Sequence, residues 1–90
     1  MTEVVILISS LIFADLQDGA AGNATAEALL REIGKYGAVV NYDSSFTDPE
    51  RSGAVYLTIL IDNQAQQFAE IVRDLDGVYS CYVKPGAELP

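Results

Sequence analysis

One cysteine, Cys81, and no histidine stand in a chain of 90 residues. Nucleophilic and metal chemistry draw heavily on these two residue types, so their scarcity already narrows what the chain can do. Ser9 and Ser10 are adjacent in an apolar stretch, but no histidine exists to act as their base, which excludes a serine triad. Cys81 sits in the alternating segment "GVYSCYV" with nothing beside it to lower its pKa. It is expected to be a small packing residue rather than a nucleophile. The same scarcity argues against a zinc, haem or iron–sulfur site, so no metal and no cofactor are expected. Asp43, Asp48 and Glu50 cluster around an expected hairpin and read as a solvated rim. No pair of carboxylates falls in an apolar pocket, so general acid–base work gains no support. The stretch "DGAAGN", residues 18–23, has the glycines of a phosphate-cradling loop. It lacks the Lys-Ser/Thr of a P-loop and the G-x-G-x-x-G spacing, and reads as an ordinary strand-to-helix turn. The amides of the helix behind it, around residues 23–26, could hold a small carboxylate. "DLQDG" offers too few oxygen ligands for calcium. The chain reads as non-catalytic.

Charge and composition bound the partners. Thirteen acidic residues against 5 basic ones give a formal charge of −8. Nucleic acid and anionic membrane both reward clustered Lys and Arg, so neither is expected. The apolar run over residues 4–13 has the look of a signal-peptide core. Glu3 stands where a basic residue belongs, however, and the run is too short to span a bilayer. It reads as a buried strand, and a cytoplasmic location follows by default. Half the residues are apolar, enough for one small domain with one core. A lone cysteine permits no internal disulfide, so it says nothing of the redox compartment.

The positioning elements follow from hydrophobic period. Residues 4–13 are apolar on both alternating faces and rich in β-branched side chains, which predicts a central strand covered on both sides. Residues 15–23 read as a turn-rich loop. Ala26, Leu29, Leu30, Ile33 and Tyr36 recur at helical spacing and predict a helix over 24–36, capped by Asn23 and stopped by Gly37. Residues 38–46 alternate as a more polar strand, with "TDPERSG" as a hairpin loop. Residues 54–61 form a second strongly apolar strand. Asn63 and Gln66 resemble a capping box opening a second helix with Ala65, Phe68, Ile71, Val72 and Leu75 inward, ended by Gly77. Residues 78–83 are the last strand. The predicted core is Leu29, Leu30, Ile33, Val55, Leu57, Ile59, Phe68, Val72 and Leu75.

The order β-α-β-β-α-β points to an α+β, ferredoxin-like sandwich: a four-stranded antiparallel sheet, order 4-1-3-2, with two helices on one face. The two most apolar strands, first and third, are the ones this topology places centrally. A single domain is expected over 1–84, with an extended tail over 85–90. The other sheet face is left open, yet the first strand is apolar there too, at Val5, Leu7, Leu11 and Phe13. That predicts a covering partner, either a second copy in a homodimer or a foreign protein.

Two resemblances bear on that partner. Residues 24–90, and most specifically "LDGVYSCYVKPGAELP", resemble the propeptides of subtilisin-type serine proteases and free inhibitors built like them. In that family the open sheet face packs on two protease helices, acidic residues near the hairpin cap those helices, and the tail lies in the substrate cleft. The resemblance implies a protease inhibitor or folding chaperone. It assigns Asp48 and Glu50 to the helix-capping role, and Lys84, Pro85, Gly86, Ala87, Glu88, Leu89 and Pro90 to the cleft-filling tail. "DGAAGNATAEALLREIGKYGAVV" is similar instead to the ligand loop, first helix and second strand of an ACT domain, a regulatory module that binds amino acids. That resemblance implies ligand binding by Asp18, Gly22 and Asn23. An acylphosphatase-like enzyme of this topology would need an arginine in the first strand-to-helix loop, and that loop has none.

Overall fold

The computed structural model describes residues 2–19 and 22–84. The expected tail over 85–90 lies outside the described residues, as do residues 20 and 21 of the glycine loop. The elements are β1 (Thr2–Ser9), α1 (Ser10–Gln17), α2 (Ala24–Lys35), β2 (Val39–Thr47), β3 (Ala54–Ile61), α3 (Ala65–Arg73) and β4 (Val78–Val83). The four strands form one antiparallel sheet in the order β2-β3-β1-β4. Read from the opposite edge, this is the order the hydrophobic pattern predicts, with the two most apolar strands in the middle.

The expectation of two helices is corrected to three among the described residues, because residues 4–13 are not one strand. β1 ends at Ser9, whose backbone is extended and whose Oγ accepts a hydrogen bond from the Ile12 amide at 3.2 Å. This N-cap satisfies one of the orphan amides of a helix start. The Ser10 amide meanwhile donates to the Gly53 carbonyl at 2.7 Å, tying the β1–α1 corner to the hairpin. From there the apolar spacing is helical: Ile12 and Leu16, one turn apart, are buried, and Phe13 packs beside them. The first part of the predicted loop over 15–23 is therefore the end of α1, and "DGAAGN" joins two helices rather than a strand and a helix.

α2 matches its prediction closely. Asn23 Oδ1 accepts from the Ala26 amide at 2.9 Å, and Glu27 and Lys35 complement the helix dipole at the two ends. Gly37 takes a left-handed φ of 66°, and the Ala38 and Gly37 amides donate to the Ile33 and Gly34 carbonyls. That pairing is a Schellman closure. α3 departs from its predicted start. Gln64 occupies the N-cap position at φ 62° and no side chain caps the helix, so the Asn63–Gln66 capping box does not form. α3 also ends at Arg73, before Gly77, which instead sits in the turn into β4.

All three helices contribute to one core against one sheet face. Val4, Ile6 and Ile8 of β1, Leu57, Ile59 and Ile61 of β3, and Cys81 of β4 meet Ile12, Leu16, Ala26, Leu29, Ile33, Phe68, Ala69 and Val72. Of the predicted core, Leu29, Ile33, Val55, Leu57, Ile59, Phe68 and Val72 are buried, whereas Leu30 and Leu75 pack at its margin and are partly buried. β2 carries a wide bulge: the four residues 42–45, between Asn41 and Phe46, stand against the single residue Leu57, between Thr58 and Tyr56 on β3. The bulge lets Tyr42 leave the sheet register and meet Phe13 of α1 edge-to-face, with ring centroids 5.9 Å apart.

Candidate functional site: the open face of the sheet

Strand alternation sends the odd-numbered residues of β1 and the even-numbered ones of β3 and β4 away from the helices. With the observed register they form three rows across the sheet. Phe46, Tyr56, Leu7 and Ser80 make one row; Asn41, Thr58, Val5 and Tyr82 the next; Val39, Leu60, Glu3 and Lys84 the last. These rows border a shallow groove of about 730 Å³ lined by Val5, Phe46, Tyr56, Thr58, Leu60 and Tyr82, among others. Phe46 stacks on Tyr56 with centroids 4.9 Å apart. Val39, Phe46 and Tyr82 remain about half exposed there, at 53, 58 and 47%.

The face is less apolar than the sequence reading expects. Val5 and Leu7 occupy it, but Leu11 and Phe13 do not, because both leave the sheet with α1. Leu11 is 75% exposed on that helix, and Phe13 packs on the opposite side. Thr58, Asn41, Ser44 and Ser80 supply neutral polar groups instead. Among the described lining residues only Glu3 and Lys84 are charged, and they pair with each other at 3.4 Å. Among the described residues, Glu3 is the one acidic side chain that lines this groove, in a chain with 13 acidic residues.

The residues singled out from sequence fall in separate places. Asp48 opens the β2–β3 hairpin: its amide donates to the Ala54 carbonyl, and its Oδ1 accepts from the Glu50 amide at 3.0 Å. That aspartate shapes the turn, while Glu50 is exposed. Lys84 continues the β4 ladder, its amide donating to the Glu3 carbonyl at 2.9 Å. The hairpin lies beyond the Ser9–Ala54 pair and Lys84 lies beside Glu3, at the opposite end of β1. At about 3.3 Å per residue, Glu3 and Ile8 alone are roughly 17 Å apart. The fold therefore sets Asp48 and Glu50 at one end of the groove and Lys84 at the other. Pro85, Gly86, Ala87, Glu88, Leu89 and Pro90 lie outside the described residues.

Asp18, Gly22 and Asn23 belong to the α1–α2 connection. Asp18 is the C-cap of α1, Gly22 has φ 78°, and Asn23 caps α2. The Asn23 side-chain oxygen is thus already bonded to an amide at the helix start, one of the groups a ligand carboxylate would need. Glu32 Oε1 on α2 is buried without a hydrogen-bond partner, but no group of three carboxylate, histidine or cysteine side chains suited to a metal occurs among the described residues.

Cys81 is 5% exposed and lies in the core. Burial pushes its thiol up from 9.0 to about 11, opposed by the nearby Arg73 guanidinium. The folded value lies above the ordinary one, so the fold favours the neutral thiol. That contribution is fully present below pH about 9 and is lost as pH rises toward about 11. Denaturant melts of the native chain should lose stability across this window, and a Cys81→Ala variant should lose less. The difference between the two isolates the thiol from Tyr42, whose pKa burial also raises. Equal slopes would place the thiol in contact with water. Nothing here equips Cys81 as a nucleophile.

Among the described residues no helix is long and apolar enough to cross a membrane. No protein-family model matches the chain, and no curated protein matches it.

Proposed function

We propose that this chain is a non-catalytic protein-binding module with a ferredoxin-like sandwich elaborated by the helix α1. It resembles a subtilisin-type propeptide and acts as an inhibitor or folding chaperone of such a protease. The observation that carries this reading is the open sheet face. Aromatic and aliphatic side chains there are interleaved with neutral hydroxyl and amide groups, and the only charges among the described residues form a pair with each other. Protein-binding surfaces have this make-up at their centres: aromatic anchors, few unpaired charges, and polar groups that can be satisfied across the interface. The positions of Asp48 and Glu50 at one end and Lys84 at the other suit a partner that lies along the whole face.

The ACT-like alternative, with an amino acid held at Asp18, Gly22 and Asn23, draws less support, because Asn23 is engaged in capping α2.

The test uses the full chain against a panel of subtilisin-type proteases, scoring both inhibition and recovery of activity on refolding. Tyr82→Asp and Phe46→Asp place a charge on the exposed part of the face and should weaken inhibition at least tenfold while leaving the melting temperature nearly unchanged. Deleting residues 87–90 should also lower potency without destabilising the domain. A full-length chain that neither inhibits nor assists any member of the panel sinks the protease reading. A free amino acid that raises the melting temperature would favour the ligand-binding alternative.

A further inference from the structure

The edges of the sheet carry an inference separate from its face. An edge strand presents unpaired backbone groups to any extended chain, and folded proteins commonly blunt such edges with charges, prolines or bulges. β2, one edge, is blunted by its wide bulge. Within it Ser44 Oγ and Ser45 Oγ donate to the Asn41 and Tyr42 carbonyls, at 3.3 and 2.8 Å. β4, the other edge, reads Val-Tyr-Ser-Cys-Tyr-Val and carries neither a charge nor a proline. Its one irregularity is the register shift beside Ile8, near its start.

The ladder fixes which backbone groups of β4 face outward. The Lys84 amide donates to Glu3 on β1, so residues 84, 82 and 80 point their backbone groups at β1. By alternation, Cys81 and Val83 turn theirs to the free edge. The outward carbonyl of Cys81 is not free. Arg73, the last residue of α3, donates to it from both Nε and Nη2, at 3.2 and 3.0 Å. A guanidinium that serves only the helix dipole needs no such contact, since any cation in the last turn suffices. This one sits in the place an incoming strand's amide would take.

We propose that Arg73 is an edge lock. Its guanidinium occupies the central outward acceptor of β4 and keeps a second copy of this chain from adding its own β4 alongside. Two copies joined there would pair Val78–Val83 with its counterpart antiparallel across a two-fold axis and extend the sheet from one molecule into the next. A second copy is the fitting occupant because β4 is uncharged, so the like charges of two acidic chains do not meet at the seam. The fork geometry matters as well as the charge. Lysine at position 73 would offer a point charge where arginine offers two donors in a fixed plane.

Sedimentation equilibrium on the full chain tests this, with hydrogen exchange read at the Cys81 and Val83 amides. Arg73→Gln should strengthen self-association at least tenfold over the native chain and slow exchange at both amides as concentration rises. Arg73→Lys, which keeps the helix-end charge, should fall between the two and serves if the glutamine variant folds poorly. Val83→Pro removes an outward N–H without touching the β1 ladder, since that amide does not bond to β1. Combined with Arg73→Gln it should return the chain to the native assembly state. If Arg73→Gln and Arg73→Lys both keep the native assembly state, the proposal is overturned. So is it if Val83→Pro fails to reverse the association, or if the native chain is already a dimer that Val83→Pro dissolves.

Discussion

Replacing Phe68 by alanine should cost about 3–5 kcal/mol, the usual penalty for emptying a large aromatic from a packed core. Phe68 is fully buried and is the largest such side chain. It projects from α3 into the cluster of β1, β3 and α2 side chains, and its ring meets Tyr36 edge-to-face with centroids 5.5 Å apart. The truncation therefore removes an aromatic pair as well as apolar burial. Small domains hold only about 5–15 kcal/mol of net stability, so a loss of this size is a large share of the total. At roughly 4–8 °C per kcal/mol for a chain of this length, it should lower the melting temperature by tens of degrees. Phe68→Leu keeps most of the volume and should cost much less. A loss below about 1 kcal/mol for the alanine variant in denaturant melts would show that Phe68 is not central to the core.

Gly77→Ala should be the most damaging single-methyl change, at about 2–5 kcal/mol. Two costs combine. Gly77 has φ +84°, where an L-residue pays roughly 1–2 kcal/mol for its Cβ. The new Cβ would also stand 2.5 Å from Ile12 Cδ1, well inside contact distance. Ile12 is buried, so its side chain has little room to retreat, and crowding a packed core costs about 1–3 kcal/mol. The second cost can be separated from the first. Ile12→Val removes the offending Cδ1, so in its background Gly77→Ala should cost only the backbone term. A double-mutant cycle should return a coupling near 1 kcal/mol, within the range seen for residues in contact. Additive losses would mean that Ile12 and Gly77 do not touch. By contrast, Gly34→Ala meets open space at an ordinary helical φ and should stabilise α2 by several tenths of a kcal/mol.

This Gly77–Ile12 contact also shows where reading the chain alone falls short. Much of the architecture was legible from local pattern. β3 and β4 match their predicted bounds, α2 is capped by Asn23 and closed by Gly37 as expected, and the strand order follows from which strands are most apolar. Period-2 and period-3.6 patterns are strong where a segment has one wet side, because water imposes the alternation. α1 does not stand out from β1 by period because it has little such contrast. Leu11, Ile12 and Phe13 continue the apolar, β-branched run of β1, so period alone does not separate helix from strand. The available signals were Ser9, a good N-cap residue in mid-run, and the one-turn spacing of Ile12 and Leu16. Both are short-range hints that a long apolar run outweighs.

The candidate site divides along the same line. Composition by itself excluded histidine-based chemistry, and alternation by itself placed Val5 and Leu7 on an open sheet face. Sequence also showed an acidic chain, but not that, among the described residues, the groove on that face holds a single carboxylate paired to Lys84. That depends on strand register, which aligns Glu3 with Lys84 and Thr58 with Asn41 from distant parts of the chain. Arg73 was still less visible. On its helix it is one more cation in the last turn. Its bond to the Cys81 carbonyl exists only because α3 packs against β4, and because the β1–β4 ladder turns that carbonyl outward. The local chain determined which segments fold into strands and most helices. Tertiary packing decided which backbone groups were left facing out and what covers them, since hydrogen-bond direction in a sheet is a property of pairing rather than of any one strand.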